Sequence, residues 1–101
     1  MTLAQYQKLI RDIYFDRDSA RGLDATFLWF IEEVGELSRA LKRGDKNQQI
    51  EEFGDVLAWL TTMASIQGID LQQSALARYA DGCPKCGQMP CACADEAAAG
   101  R

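Results

Sequence analysis

The sequence predicts an all-α fold: a bundle of about four helices with a central antiparallel helical hairpin, followed by a short Cys-rich tail. Three observations predict it. Apolar residues recur at helical spacing in successive stretches, and no stretch alternates with period two for long enough to make a strand. Capping signatures precede several of these stretches and glycines follow them. Two similar acidic clusters, Glu32-Glu33-Val34-Gly35-Glu36 and Glu51-Glu52-Phe53-Gly54-Asp55, flank the turn-like Lys42-Arg43-Gly44-Asp45-Lys46-Asn47.

The first helix opens at Thr2, an N-cap with Gln5 placed three residues on to complete a capping box. Leu3, Tyr6, Leu9, Ile10, Ile13 and Tyr14 form its stripe, which stops near Phe15-Asp16. The charged stretch Arg17-Asp18-Ser19-Ala20-Arg21-Gly22 reads as a loop that supplies two arginines. Asp24 or Thr26 suits the N-cap of the second helix. Phe27-Leu28-Trp29-Phe30-Ile31 is apolar all round, more than one buried stripe requires, and so points to association with another subunit. Lys42 and Arg43 suit the negative end of this helix, and Gly44 suits its C′ position. Asp45, with Gln48, caps the third helix. Ile50, Phe53, Val56, Leu57, Leu60, Met63 and Ala64 line it, and Gly68 ends it. Asp70 with Gln73 opens a short fourth helix through Leu71, Leu76 and Tyr79, ended by Gly82. The division expected is a helical domain over residues 1–81 and a Cys-rich segment over 82–101. Residues 95–101 have too little apolar bulk to pack and read as a frayed tail.

Composition limits the function. At 101 residues the chain is one domain with a modest core. No run approaches the ~20 apolar residues of a membrane span, and the N-terminus lacks the pattern of a signal peptide, so a cytoplasmic protein is expected. The net charge of −4 argues against a nucleic-acid polymer as partner, though not against a nucleotide, because metal ions can bridge acids to phosphates. The absence of histidine excludes a Ser-His-Asp triad, a Cys-His pair and His-containing di-iron sites.

The acidic clusters carry the chemistry. Glu33 and Glu36 are three residues apart, as are Glu52 and Asp55, so each pair shares a helix face. Folding the chain back at Gly44 sets Glu33 level with Asp55 and Glu36 level with Glu52. Four carboxylates then face one small volume, and hard oxygen ligands favour Mg²⁺, Mn²⁺ or Ca²⁺. The competing reading is a solvated face with ion pairs, such as Glu36 with Arg39. It suits single residues better than the set, since Leu37 and Trp59 occupy the positions four after Glu33 and Asp55. The cluster glycines cost helix propensity and suggest close approach of a helix or a ligand. Trp29 and Trp59, each four residues from a ligand candidate, can stack on a base or pack in a core or subunit interface. Arg17, Arg21 and Lys46 are candidate phosphate contacts, or simply solvated.

All four cysteines lie within Cys83-Pro84-Lys85-Cys86-Gly87-Gln88-Met89-Pro90-Cys91-Ala92-Cys93. Cys-x-x-Cys followed by glycine is a common zinc turn, and four thiolates make a closed structural Zn²⁺ site. The Cys-x-Cys half is tighter than usual. A redox pair lacks the βαβ context such pairs have, and a tail of free thiols is the remaining alternative.

With these residues assembled, the chain resembles the MazG-like nucleotide pyrophosphohydrolases of the all-α NTP pyrophosphatase group. The family pattern Glu-Glu-x-x-Glu, a gap, then Glu-x-x-Asp is met by Glu32-Glu33-Val34-Gly35-Glu36 and Glu52-Phe53-Gly54-Asp55. The similarity covers roughly residues 1–80. The resemblance implies a homodimer or homotetramer and Mg²⁺-dependent hydrolysis of a (d)NTP to the monophosphate and pyrophosphate. It also implies metal ligation by Glu33, Glu36, Glu52 and Asp55, with Glu32 orienting or deprotonating water or touching a further metal. Two alternatives stand beside it: a non-catalytic helical oligomer whose zinc tail docks a partner, and hydrolysis of another phosphoanhydride such as a phosphoribosyl nucleotide.

Overall fold

The structure, a computed structural model, describes residues 1–94. It contains α1 (Leu3–Arg21), α2 (Leu23–Arg43), α3 (Lys46–Ile66) and α4 (Leu71–Tyr79), with no strand among the described residues. The tail expected over residues 95–101 lies outside them. The chain forms two compact units, Met1–Leu71 and Gln72–Arg101. In the first unit α2 and α3 form the hairpin and pack most extensively, with α1 against both.

The capping boxes expected at the starts of α1 and α3 form, Thr2 with Gln5 and Asp45 with Gln48. The α3 terminus is closed by a left-handed Gly68 at φ 68°. There the Gly68 N–H donates to Ser65 O and the Ile69 N–H to Ala64 O, the paired bonds of a Schellman motif.

Three local expectations are corrected. The stretch Arg17–Gly22 is not a loop: α1 continues to Arg21. Its apolar stripe ends, but Asp18 is buried and held from outside the stripe. Arg21 Nη1 pairs with Asp18 Oδ1 at 2.9 Å, and Thr62 Oγ1 of α3 donates to Asp18 Oδ2 at 3.1 Å. The break falls at Gly22, whose φ of 85° is one that L side chains rarely adopt. Second, neither Asp24 nor Thr26 caps α2. Gly22 is the N-cap, without a side-chain bond, and Thr26 is fully buried one turn in, its Oγ1 donating to Gly22 O at 2.7 Å. Third, Gly44 is extended at φ −82°, not left-handed. Glycine is needed there for space: a Cβ would lie 2.8 Å from Ala40 O and 2.9 Å from Ala40 Cα.

Gln7 braces the other end of the unit. Its buried amide donates to Ser65 Oγ and Ile69 O and accepts from the Leu71 N–H, which fixes the turn after α3. Among the described residues the buried groups are largely polar and satisfied, Gln7, Asp18, Thr26, Thr61 and Thr62, with Ile10 and Ala40 as the buried apolar residues. Large apolar side chains lie outside instead. Phe27, Ile31, Val34 and Leu41 on α2, and Ile50, Phe53, Leu57 and Leu60 on α3, remain exposed in the single chain.

Candidate metal centre

The hairpin register puts acids from two helices together. Glu33 of α2 and Glu52 and Asp55 of α3 each bring a carboxylate oxygen within 4.8 Å of the other two. Oxygens on opposite sides of one hard cation are separated by twice the metal–oxygen distance, about 4.2 Å for Mg²⁺ and about 4.8 Å for Ca²⁺, so the three oxygens fit a single ion. Glu33 and Glu52 are half-buried and Asp55 is exposed, which gives the centre a protected side and an open side. Glu52 Oε2 is buried and has no hydrogen-bond partner. A buried carboxylate oxygen without a donor is costly, and a cation would supply the missing compensation. The same crowding acts on protonation: burial first, then the negative charges of Asp55 and Glu52, push the Glu33 carboxyl above its ordinary 4.5.

The register extends beyond the acids. Trp29 and Trp59, level with each other about the same turn, stack with ring centroids 6.1 Å apart and planes inclined by 15°. The Arg21 guanidinium lies 4.8 Å from the Trp59 ring centroid, a cation–π arrangement. A cleft of about 290 Å³ opens here, lined by Arg17, Arg21, Asp55 and Trp59 together with Tyr14 and Asp18. One wall thus carries a metal-ligand candidate, and the others carry an aromatic face and two cations.

Not every residue singled out in the sequence joins this group. Glu36 turns to an ion pair with Arg39 and lines, with Glu52, a second hollow beside the hairpin turn. Glu32 is exposed on α2, outside the carboxylate trio. Lys46 is exposed at the start of α3 and lines neither hollow. The glycines of the acidic clusters do not admit a neighbouring helix: a Cβ on Gly54 would meet nothing within 4 Å, and one on Gly35 only the Arg39 side chain at 4.0 Å. Two residues were missed. Asp18 anchors Arg21 at the cleft, but a single buried acid leaves no periodic signal. Tyr6 feels the charge of Asp55, which, after burial, raises its phenol. In the sequence it is one more member of an apolar stripe.

The four cysteine sulfurs form a second ligand group, also mutually within 4.8 Å. No described helix is long and apolar enough to cross a membrane.

Residues 21–86, more than half of the chain, match the model of the MazG nucleotide pyrophosphohydrolase domain. No curated protein matches the chain. The family match spans α2, α3 and both acidic clusters, and the chain belongs to this family.

Proposed function

We propose that this member of the MazG nucleotide pyrophosphohydrolase family hydrolyses nucleoside triphosphates to the monophosphate and pyrophosphate, with Mg²⁺ or Mn²⁺ as cofactor and residues 1–81 as its catalytic domain. The observation that carries the reading is the convergence of the Glu33, Glu52 and Asp55 carboxylates, with Glu52 Oε2 buried and partnerless. A bound divalent cation supplies neutralisation of the triphosphate and orientation of its leaving group.

Glu33, Glu52 and Asp55 would hold the cation. Glu36, whose exposed pairing with Arg39 is of small worth, would be available as a fourth ligand. Glu32 orients the attacking water and takes its proton. Water adds at the α-phosphorus, the bond to the bridging oxygen breaks, and pyrophosphate leaves. Arg17 and Arg21 meet phosphate charge from the cleft, and the Trp29–Trp59 pair offers a face for the base. Lys46 is a further phosphate contact only if the substrate reaches the hairpin turn. The exposed stripes of α2 and α3 support a homodimer or homotetramer, because apolar patches on this scale mark subunit contacts; its proposed location is the cytoplasm.

A panel of (d)NTPs and phosphoribosyl nucleotides, assayed with Mg²⁺ for pyrophosphate, tests the reading. Pyrophosphate from at least one triphosphate is expected, abolished by EDTA. Turnover of phosphoribosyl compounds alone assigns a different phosphoanhydride. No turnover on the whole panel, with or without Mn²⁺, leaves a non-catalytic interaction module.

A further inference from the structure

We propose that Cys83, Cys86, Cys91 and Cys93 form a closed structural Zn²⁺ site that holds the C-terminal segment in its fold, separate from the carboxylate centre. In a tetrahedral Zn–thiolate site the bonds of about 2.3 Å place the sulfurs about 3.8 Å apart. Cys83 Sγ lies 3.8 Å from Cys93 Sγ, and Cys86 Sγ lies 4.0 Å from Cys91 Sγ. All four sulfurs lie within 4.8 Å of one another, within reach of a single ion. A disulfide needs about 2.05 Å, and both close pairs are well beyond it; all four residues are free cysteines.

The backbone is shaped around the sulfurs. Cys83 N–H donates to Gln88 O at 3.0 Å, and Gly87 N–H donates to Cys83 O at 2.7 Å, which closes the Cys-Pro-Lys-Cys-Gly turn. Gly87 takes the left-handed conformation that this turn requires, at φ 71°. The Ala92 N–H points to Cys86 Sγ at 3.3 Å and the Cys93 N–H to Cys91 Sγ at 3.4 Å. Donors aimed at sulfur offset the negative charge of four thiolates around a dication. The thiols release their protons to solvent on binding, and no oxidation occurs.

An apolar core that could order this segment is missing among the described residues. Between residues 72 and 94 no residue is buried, and the half-buried ones are Gln72, Gly82, Cys83, Cys86 and Cys93. Three of the five are cysteines. With no apolar core, the bound ion is the core. The four ligands are all protein thiolates, which leaves no open position and assigns the ion a structural role. Cys91 and Cys93 lie past the end of the family match at residue 86, so the complete ligand set is not part of the matched domain.

Metal analysis of the full chain, purified without chelators and dialysed against Mg²⁺, tests this. About one Zn²⁺ per chain is expected, released in step with titration of the thiols by a mercurial. Glu52→Gln should keep the zinc, and the double variant Cys86→Ser/Cys91→Ser should lose it. Co²⁺ exchanged into the unaltered chain provides a readout that does not depend on the variant folding: intense thiolate-to-metal charge-transfer bands and tetrahedral d–d bands. Zinc-free protein with four freely reactive thiols, zinc lost on Glu52→Gln but kept by the cysteine variant, or iron in place of zinc would each overturn the proposal.

Discussion

The carboxylates of α2 and α3 stand on helices whose backbones satisfy their own hydrogen bonds, whereas the thiols of residues 83–93 stand on loop backbone with no buried neighbours. In the first region the fold makes the site. Helix register brings Glu33, Glu52 and Asp55 together, and the crowding of charge is a cost that a bound cation would relieve. In the second region the proposed zinc site would make the fold, because the turn geometry has little else to hold it. The ligand types differ accordingly: hard oxygens on an open face suit an exchangeable ion that meets substrate, and soft sulfurs in a closed set suit a permanent one.

The sharpest way to break this contrast is to exchange the consequences of losing each site. Glu52→Gln is expected to lower kcat/KM for the triphosphate by about 100-fold or more, equivalent to ~2.7 kcal/mol of transition-state stabilisation, with helix content and zinc unchanged. Removing zinc from the unaltered chain is expected to do the reverse. Hydrogen exchange in residues 82–94 should speed up markedly while α2 and α3 keep their protection. Loss of protection in α2 and α3 on zinc removal would mean that the regions are one cooperative unit.

Smaller effects test how the helical region fixes its own geometry. Thr62→Val removes the donor to buried Asp18 Oδ2 and should lower stability by about 1–3 kcal/mol in a denaturant titration. Gly44→Ala drives a Cβ against the Ala40 backbone and should cost about 1–3 kcal/mol by the same measurement. No change in either would place the hairpin's stability elsewhere.

The smallest effect concerns protons. Burial and neighbouring acids hold the Glu33 carboxyl above its ordinary 4.5, so the folded, metal-free chain binds that proton more tightly than the unfolded chain. The favourable protonated form is present below 4.5 and is lost as pH rises through the folded value. The Tm advantage of Glu33→Gln over the unaltered chain, both metal-free, should therefore grow across that interval. Mg²⁺ should erase it, since the charged carboxylate then has its counter-ion. An advantage that shrinks with rising pH would contradict the crowding.

Much of this was legible in the sequence. The capping boxes of α1 and α3 form as read, and symmetry about Gly44 predicts a register that holds from the acids out to the Trp29–Trp59 stack. The illegible parts depend on tertiary partners. The last turn of α1 is held where Arg21 and Thr62 both engage Asp18; the Arg21 pair is a local i,i+3 contact, but Thr62 comes from α3 and cannot be read from periodicity. Glu36 and Glu33 share a spacing rule, but whether a side chain turns to Arg39 or into the seam is a choice of rotamer. The exposed apolar stripes were legible only as excess: the run of residues 27–31 has more apolar surface than one chain can cover.

The most direct test is phosphorus NMR of the products formed from a nucleoside triphosphate with Mg²⁺, for the unaltered chain and Glu52→Gln side by side. Equal amounts of pyrophosphate and nucleoside monophosphate are expected from the first and almost none from the second. Orthophosphate with nucleoside diphosphate as products, or undiminished pyrophosphate from Glu52→Gln, would contradict a carboxylate-held cation as the centre of this protein's chemistry.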